Sequence, residues 1–368
     1  MKVALVHDWL IHMRGGEKVL EGIAELYPKA TLYTLFYDRS KLSAALRSHD
    51  IRASFLQHFP GIRIYYRWLL PFLPFAIRSL KIEPVDLVIS SSHCVAKSVR
   101  IPEGAKHICY CHTPMRYLWG FQEEYFGKYP WIIRLLIKSI FSWLRRWDLQ
   151  YNDQVDQFIS NSQNVRERIR KFYNREAHVI HPPLDTNQFR PRGEPGDYYF
   201  VVSAFVPYKK VDLVIEAFNG LDRQLLIVGS GPLESAYNKL RRSGKISFLG
   251  SVSGERLHDL YARAKALIFP TDEDFGIVPL EAQACGTPVI AYRRGGALES
   301  IKTGIFFDLQ TPEAIQQAVY EFESQEYDRS QIAPLVEEFD REHFKEKIRA
   351  FVDQTMNQEK AYVSGTQK

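Results

Sequence analysis

The sequence predicts an α/β fold made of two doubly wound parallel sheets, and three observations lead there. Short runs rich in β-branched and aromatic residues alternate with segments of helical periodicity along most of the chain. The runs number twelve, too many for one such sheet in 368 residues. A stretch rich in proline and glycine, His181–Asp197, interrupts the alternation near the middle.

The first run, KVALVH, carries one lysine and a very short apolar stretch, so it reads as a strand and not as a signal peptide. TLYTLF, IRASFL, VDLVIS, KHICYC and QFISNS follow as strands of a first domain, residues 1–184. The break HPPLDTNQFRPRGEPGD holds four prolines and two glycines with little apolar periodicity. YYFVVSAF, QLLIVG, KISFLG, KALIFP, TPVIAY and TGIFFD are the strands of a second domain, residues 185–330. Val211–Phe218, Pro232–Arg242 and Glu255–Ala264 read as helices between them. Beyond about Gln325 the alternation stops. A terminal helix over about 337–356 is expected to pack back on the first domain.

Composition sets the remaining bounds. Hydrophobic residues at 45% and charged residues at 25% are normal for a soluble globular protein. No stretch is long and apolar enough to span a bilayer. Cys94, Cys109, Cys111 and Cys285 are too few for a disulfide framework and lack zinc-site spacing, so a reduced, cytoplasmic setting is expected. A net charge of +5 suits anionic substrates or an anionic membrane surface. No nucleic-acid-binding motif or dense basic stripe appears.

The most informative segment is Thr271–Gly286, TDEDFGIVPLEAQACG. It follows the apolar run ALIFP and carries a turn at Gly276. Pro279 fits the first position of a short helix. A strand, a tight loop and a helix start aim backbone N–H groups of Phe275, Gly276 and Ile277 at an anion. Glu273 and Glu281 flank that point and can accept hydrogen bonds from hydroxyls. A ligand that is part phosphate and part polyol, such as a nucleotide-sugar, suits this pattern. Asp272-Glu273-Asp274 also spells a D-x-D signature whose oxygens could hold Mg²⁺ or Mn²⁺. The double βαβ pattern argues against that use.

Other positions carry weaker signals. Lys209, after the strand run in SAFVPYKK, can neutralise a diphosphate as a point charge; as a bland alternative it is a solvated surface lysine. Gly15 and Gly16, between Arg14 and Glu17, allow a backbone to come close to a phosphate or sugar at a helix start. Gly229-x-Gly231 lacks the third glycine of a dinucleotide fingerprint and reads as a structural turn. Gly295-Gly296 could add N–H donors, and Arg293 and Arg294 could equally be solvated. His112 ends the strand KHICYC, where a lone histidine is more often structural. His7 and Asp8, in VHDW, are weaker candidates for the acceptor side. In 130–147, Ile133, Leu136, Ile137, Ile140, Leu144 and Trp147 share one helical face, with Arg134, Lys138 and Arg145 on another. That basic amphipathic segment, and the similar 62–78 broken by Pro71 and Pro74, fit a membrane–water interface or, as the plainer alternative, core packing.

These motifs, taken in order, resemble a known family. VVSAFVPYKKVDLVIEAF, LLIVGSGP, FLGSVS and FPTDEDFGIVPLEAQACGTPVIAYRRGGALES look like the C-terminal half of a family 4 retaining glycosyltransferase. HDWLIHMRGGEKVLE and YCHTPMRYLW resemble the branch containing lipopolysaccharide O-antigen mannosyltransferases. The resemblance implies the GT-B architecture, two Rossmann-like domains facing across a cleft. It implies sugar transfer with retention from a nucleotide-sugar, GDP-mannose by branch, to a lipid-linked or glycan acceptor, with no essential metal or other cofactor. Glu273 then contacts donor hydroxyls, Glu281 the ribose, Lys209 the diphosphate, and Gly15, Gly16 and His112 lie by the donor. The wider family often has an arginine where Ala204 stands, and Arg14 and Arg116 are possible stand-ins. The membrane segments imply a peripheral place on the inner face of the plasma membrane. The rival readings are a nucleotide-sugar epimerase on the same fold and an inactive membrane-associated scaffold.

Overall fold

The computed structural model describes residues 1–66, 68–120 and 130–365. The chain forms two compact units, Met1–Pro183 with Glu342–Lys368, and Leu184–Arg341. Each contains one parallel sheet among its described residues.

In the first unit seven strands run in the order β3-β2-β1-β4-β5-β6-β7. They are β1 (Val3–His7), β2 (Thr31–Thr34), β3 (Ile51–Ala53), β4 (Leu87–Ser92), β5 (Lys106–Cys111), β6 (Gln157–Ser160) and β7 (Ala177–Val179). β1 and β4 are buried along their whole length, as expected of central parallel strands covered on both faces. Successive residues feed opposite cores. Ala4 and Val6 join the core under the helix Trp131–Gln150, which contributes Phe141, Leu144 and Trp147. Leu5 joins the core under the helix Gly15–Leu26, which contributes Val19, Leu20 and Ile23. The terminal helix Arg341–Gly365 closes that second core with Phe344, Ile348 and Val352, spaced one turn apart on a single stripe.

The second unit has six strands in the order β10-β9-β8-β11-β12-β13. They are β8 (Tyr198–Val202), β9 (Gln224–Val228), β10 (Ile246–Gly250), β11 (Ala266–Phe269), β12 (Val289–Tyr292) and β13 (Gly304–Phe307). Helices Val211–Asn219 and Pro312–Glu323 cover one face, and Gly254–Arg263 and Ile277–Ala284 the other.

Four details differ from the sequence expectation. β7 was not anticipated, because AHV is three residues long, at the sheet edge, and has no apolar run. The second unit continues to Arg341 instead of ending near 330, since Val336 and Phe339 bury into its core from a 3₁₀ helix, Ala333–Phe339. The terminal α-helix therefore starts at Arg341, not at 337. Pro279 is the third residue of its helix, not the first, because Gly276 at φ 93° already turns the chain and caps the helix at Ile277. Proline fits there because first-turn N–H groups have no intrahelical partner.

Candidate functional site

Both strand orders reverse once, between β1 and β4 in the first unit and between β8 and β11 in the second. The carboxyl ends of the strands at such a reversal leave a crevice where open α/β sheets bind ligands. The candidate residues collect at those two places.

In the second unit, β8 leads to a 3₁₀ turn, Pro207–Lys209, and β11 leads to Thr271–Gly276. The Lys209 ammonium forms an ion pair with the Glu273 carboxylate across this reversal, both side chains about one-fifth exposed. Thr271 Oγ1 donates to Tyr208 O at 3.1 Å and fastens the two loops together. Phe275 is buried against Phe339, with ring centroids 5.8 Å apart. Its backbone, with Gly276 and Ile277, forms the start of the helix Ile277–Ala284. Glu281 lies on that helix, and Tyr261 Oη donates to its Oε2 at 2.8 Å. Tyr261 is fully buried, so it fixes the carboxylate from below.

Gly295-Gly296 holds the loop in place. Gly296 N donates to Glu273 O at 2.8 Å. A β-carbon on Gly295 would lie 2.3 Å from Glu273 O, and one on Gly296 would lie 2.1 Å from Phe275 Cα. The pair's N–H capacity thus goes partly to the loop backbone. Arg293 pairs at the surface with Asp308. Gly229-x-Gly231 is a turn at the end of β9, where Gly229 N donates to Gly250 O at 3.0 Å and Phe205 N to Ser230 O at 2.9 Å. Ala204 lies half-buried in the loop after β8.

In the first unit, β1, β4 and β5 each deliver a histidine to one place. Ser91 Oγ lies 3.1 Å from His7 Nδ1 and 2.8 Å from His112 Nε2, joining the two rings. The His93 ring centroid is 5.7 Å from that of His7 and 6.3 Å from that of His112. Burial, then the neighbouring His93 and His112, pushes the His7 pKa well down, and burial with His93 lowers that of His112 to about 3. Both are therefore neutral imidazoles at ordinary pH. Gly16 is beside them, since a β-carbon there would be 3.6 Å from His112 Nε2.

Asp8 lies beneath the turn after β4. It is fully buried, and its carboxylate accepts the N–H groups of His93, Cys94, Val95 and Ala96 at 2.7–2.9 Å. These bonds clamp the turn after β4. Arg14 is exposed and caps the helix Gly15–Leu26, its N–H donating to Glu17 Oε2 at 3.1 Å. Arg116, half-buried, starts the short helix Arg116–Trp119. Ser91, His93 and Tyr261 were missed in the sequence. Their roles come from partners 20 to 85 residues away, and no local pattern marks them.

Among the described residues no group of three His, Cys, Asp or Glu could hold a metal ion. A cavity of about 230 Å³, lined in part by Gly196, Lys265, Pro288 and Glu323, lies at the amino ends of β8, β11 and β12, the opposite end from the reversal.

Residues 14–188 match the family model "Glycosyltransferase Family 4", and residues 185–334 match "Glycosyl transferases group 1". The chain belongs to the group 1/family 4 glycosyltransferase superfamily. Within it, the D-inositol 3-phosphate glycosyltransferase of Mycolicibacterium smegmatis is 29% identical over 181 residues, covering 42% of this chain and 42% of that protein. The chain thus spans about two-fifths of the length of the curated relatives it matches. Sucrose-phosphate synthase from Thermosynechococcus elongatus superposes with a TM-score of 0.70 at 17% identity, over 96% of this chain and 99% of that one. Anabaena HepE in complex with UDP and glucose gives 0.68 at 17%, again over 96% and 99%. At that identity the likeness shows the fold alone, which is GT-B.

Proposed function

We propose that the chain is a retaining glycosyltransferase that moves a sugar from a nucleotide-sugar to an acceptor hydroxyl. The observation that carries this reading is the pairing of Lys209 with Glu273 at the sheet reversal, beside the helix start at Gly276. One cation, one carboxylate and a set of first-turn N–H groups match a sugar diphosphate group by group. With donor bound, Lys209 and the N–H groups of Phe275, Gly276 and Ile277 hold the diphosphate. Glu273 then takes sugar hydroxyls and Glu281, set by Tyr261, takes the ribose.

The acceptor oxygen attacks the anomeric carbon on the face from which the phosphate departs. The old C–O bond breaks as the new one forms, and the hydroxyl proton passes to the departing phosphate oxygen. This needs no acid–nucleophile carboxylate pair, and catalysis comes from charge stabilisation and positioning. No essential metal or other cofactor enters the scheme.

Motifs around Gly15-Gly16 and His112 support GDP-mannose as donor and a lipid-linked or polysaccharide acceptor in cell-surface glycan synthesis. HepE, whose structure holds UDP and glucose, makes a UDP-sugar the donor to test beside it. An exposed apolar surface on the first unit supports peripheral attachment to an anionic membrane. Ile64, Trp68 and Trp131 are each more than 70% exposed. Phe75 and Trp143 stack with centroids 6.1 Å apart, joining the two segments into one surface, while Ile137, Ile140, Leu144 and Trp147 of the same helix pack into the core. Arg134 and Lys138 are exposed on that helix. No helix among the described residues is long and apolar enough to cross a membrane.

The test is a thermal-shift comparison of GDP-mannose and UDP-glucose, followed by transfer assays with and without EDTA. A donor raises the melting temperature by mass action. If the chain binds no nucleoside diphosphate at all, the inactive-scaffold reading is favoured. If bound donor turns over to free nucleotide and an epimerised sugar without acceptor, it is an epimerase.

A further inference from the structure

The turn after β4 carries a histidine that the transfer scheme above does not use. His93 Nδ1 is 3.2 Å from Asp8 Oδ2. That carboxylate is fully buried and accepts four backbone N–H groups, so it is fixed in place beside the ring. Nδ1 is thus turned to the carboxylate, and Nε2 is the ring nitrogen left for another partner. The ring is held from the side by Trp9, edge-on at 4.5 Å between centroids. It is nevertheless 30% exposed, whereas His7 behind it is wholly buried.

A second observation points to a ligand in the same place. His7 Nε2 is buried and has no hydrogen-bond partner. Its other nitrogen is engaged by Ser91. An orphaned ring nitrogen in a fully buried histidine costs stability unless something polar reaches it. It lies at the reversal between β1 and β4, where this topology binds its ligands.

We propose that His93, with its ring oriented by Asp8, binds a hydroxyl of the sugar or polyol acceptor through Nε2, above the floor formed by His7. The inference rests on the transferase reading and adds to it the residue that receives the acceptor. A hydroxyl group is the fitting chemistry because it can donate to or accept from a ring nitrogen while its remaining capacity pairs elsewhere. Trp9, itself stacked on Phe36 and packed against Tyr66, supports the ring from the core side. Asp8 acts through His93 and is a positioning residue.

The experiment compares wild type with His93→Ala and His93→Gln, using GDP-mannose and UDP-glucose as donors. Octyl α-D-mannoside in anionic vesicles is the acceptor probe, and water is the reference acceptor. The Ala variant is expected to raise the KM for the octyl mannoside on the order of tenfold to a hundredfold, as for loss of one hydrogen bond to a substrate hydroxyl. Donor affinity and donor hydrolysis should stay within about twofold, which also shows that the variant folds. The Gln variant, which keeps an acceptor oxygen, should recover part of the loss. An acceptor KM unchanged in His93→Ala overturns the inference and leaves the transferase reading standing. Parallel loss of hydrolysis and transfer also overturns it, because His93 then supports the fold or the donor. Absence of transfer and of donor hydrolysis in wild type overturns both.

Discussion

Lys209 and Glu273 form an ion pair although 64 residues separate them in sequence. Each sits just beyond the carboxyl end of one of two adjacent strands, β8 and β11, and those strands are neighbours only because the sheet order reverses between them. Lys209→Ala is expected to lower kcat for transfer by about 10²–10³, the range seen when one group stabilising developing negative charge is removed. The pair is partly solvated, so the stability change should stay near or below about 1 kcal/mol. Initial rates and urea denaturation on the same preparation check both halves.

Gly296→Ala tests the loop rather than the charges. The glycine has φ −69°, which alanine adopts freely, so the effect is steric. Its β-carbon would lie 2.1 Å from Phe275 Cα and 2.4 Å from Asp274 O, both backbone atoms. A loss of about 1–3 kcal/mol is expected from such overpacking. Donor affinity should fall with it, as read by calorimetric titration of the nucleoside diphosphate.

Tyr261→Phe removes the hydroxyl that donates to Glu281 and little else, since the ring keeps its contacts with Phe189 and Phe200. A stability cost of about 1 kcal/mol is expected. If Glu281 reads the ribose, nucleotide affinity should drop several-fold as well. Comparing a nucleoside diphosphate with inorganic pyrophosphate separates the two, because pyrophosphate binding should not change.

Acid should weaken the protein in two windows. Burial lowers the pKa of His107 to about 4 and that of His112 to about 3, both from 6.5. The unfolded chain therefore takes up protons that the folded one refuses, and stability falls as pH drops from about 6.5 towards 4 and 3. Glu323 behaves as a depressed carboxyl. Hydrogen bonds from Arg223 outweigh its burial, and those from Lys265 and Tyr199 add to them, lowering its pKa to about 2 from 4.5. Its contribution is present above pH 4.5 and is lost as pH falls through 2. Urea midpoints for wild type and Glu323→Gln should differ at pH 6 and converge near pH 2.

The apolar surface of the first unit gives a fifth test. Trp68→Glu with Trp131→Glu should reduce cosedimentation with anionic vesicles without altering the melting temperature, because both rings are exposed, at 75% and 73%. Unchanged binding in the double variant would assign that surface to some other partner.

Local chemistry made much of this protein legible. β-Branched and aromatic runs mark the central strands, because a strand covered on both faces has to be apolar along its length. The segment around Gly276 could be read because a strand end, a turn glycine and a helix start are contiguous. Shorter or less apolar pieces escaped, such as β7 with AHV, or were misplaced by a few residues, such as the terminal helix behind the 3₁₀ turn at Ala333–Phe339. Gly295-Gly296 was visible as a pair, but its purpose was not, since the backbone it admits lies some 20 residues earlier.

By itself the sequence determined two α/β units, all their strands but β7, and a turn with two glutamates suited to a sugar phosphate. Tertiary structure alone decided which strands are neighbours, that Asp8 clamps the turn carrying His93, that Tyr261 holds Glu281, and that two aromatic segments share one surface. Periodicity and turn chemistry act over a few residues and are written in the chain. A carboxylate's choice among backbone N–H groups 85 residues away depends on strand order, which no local pattern encodes.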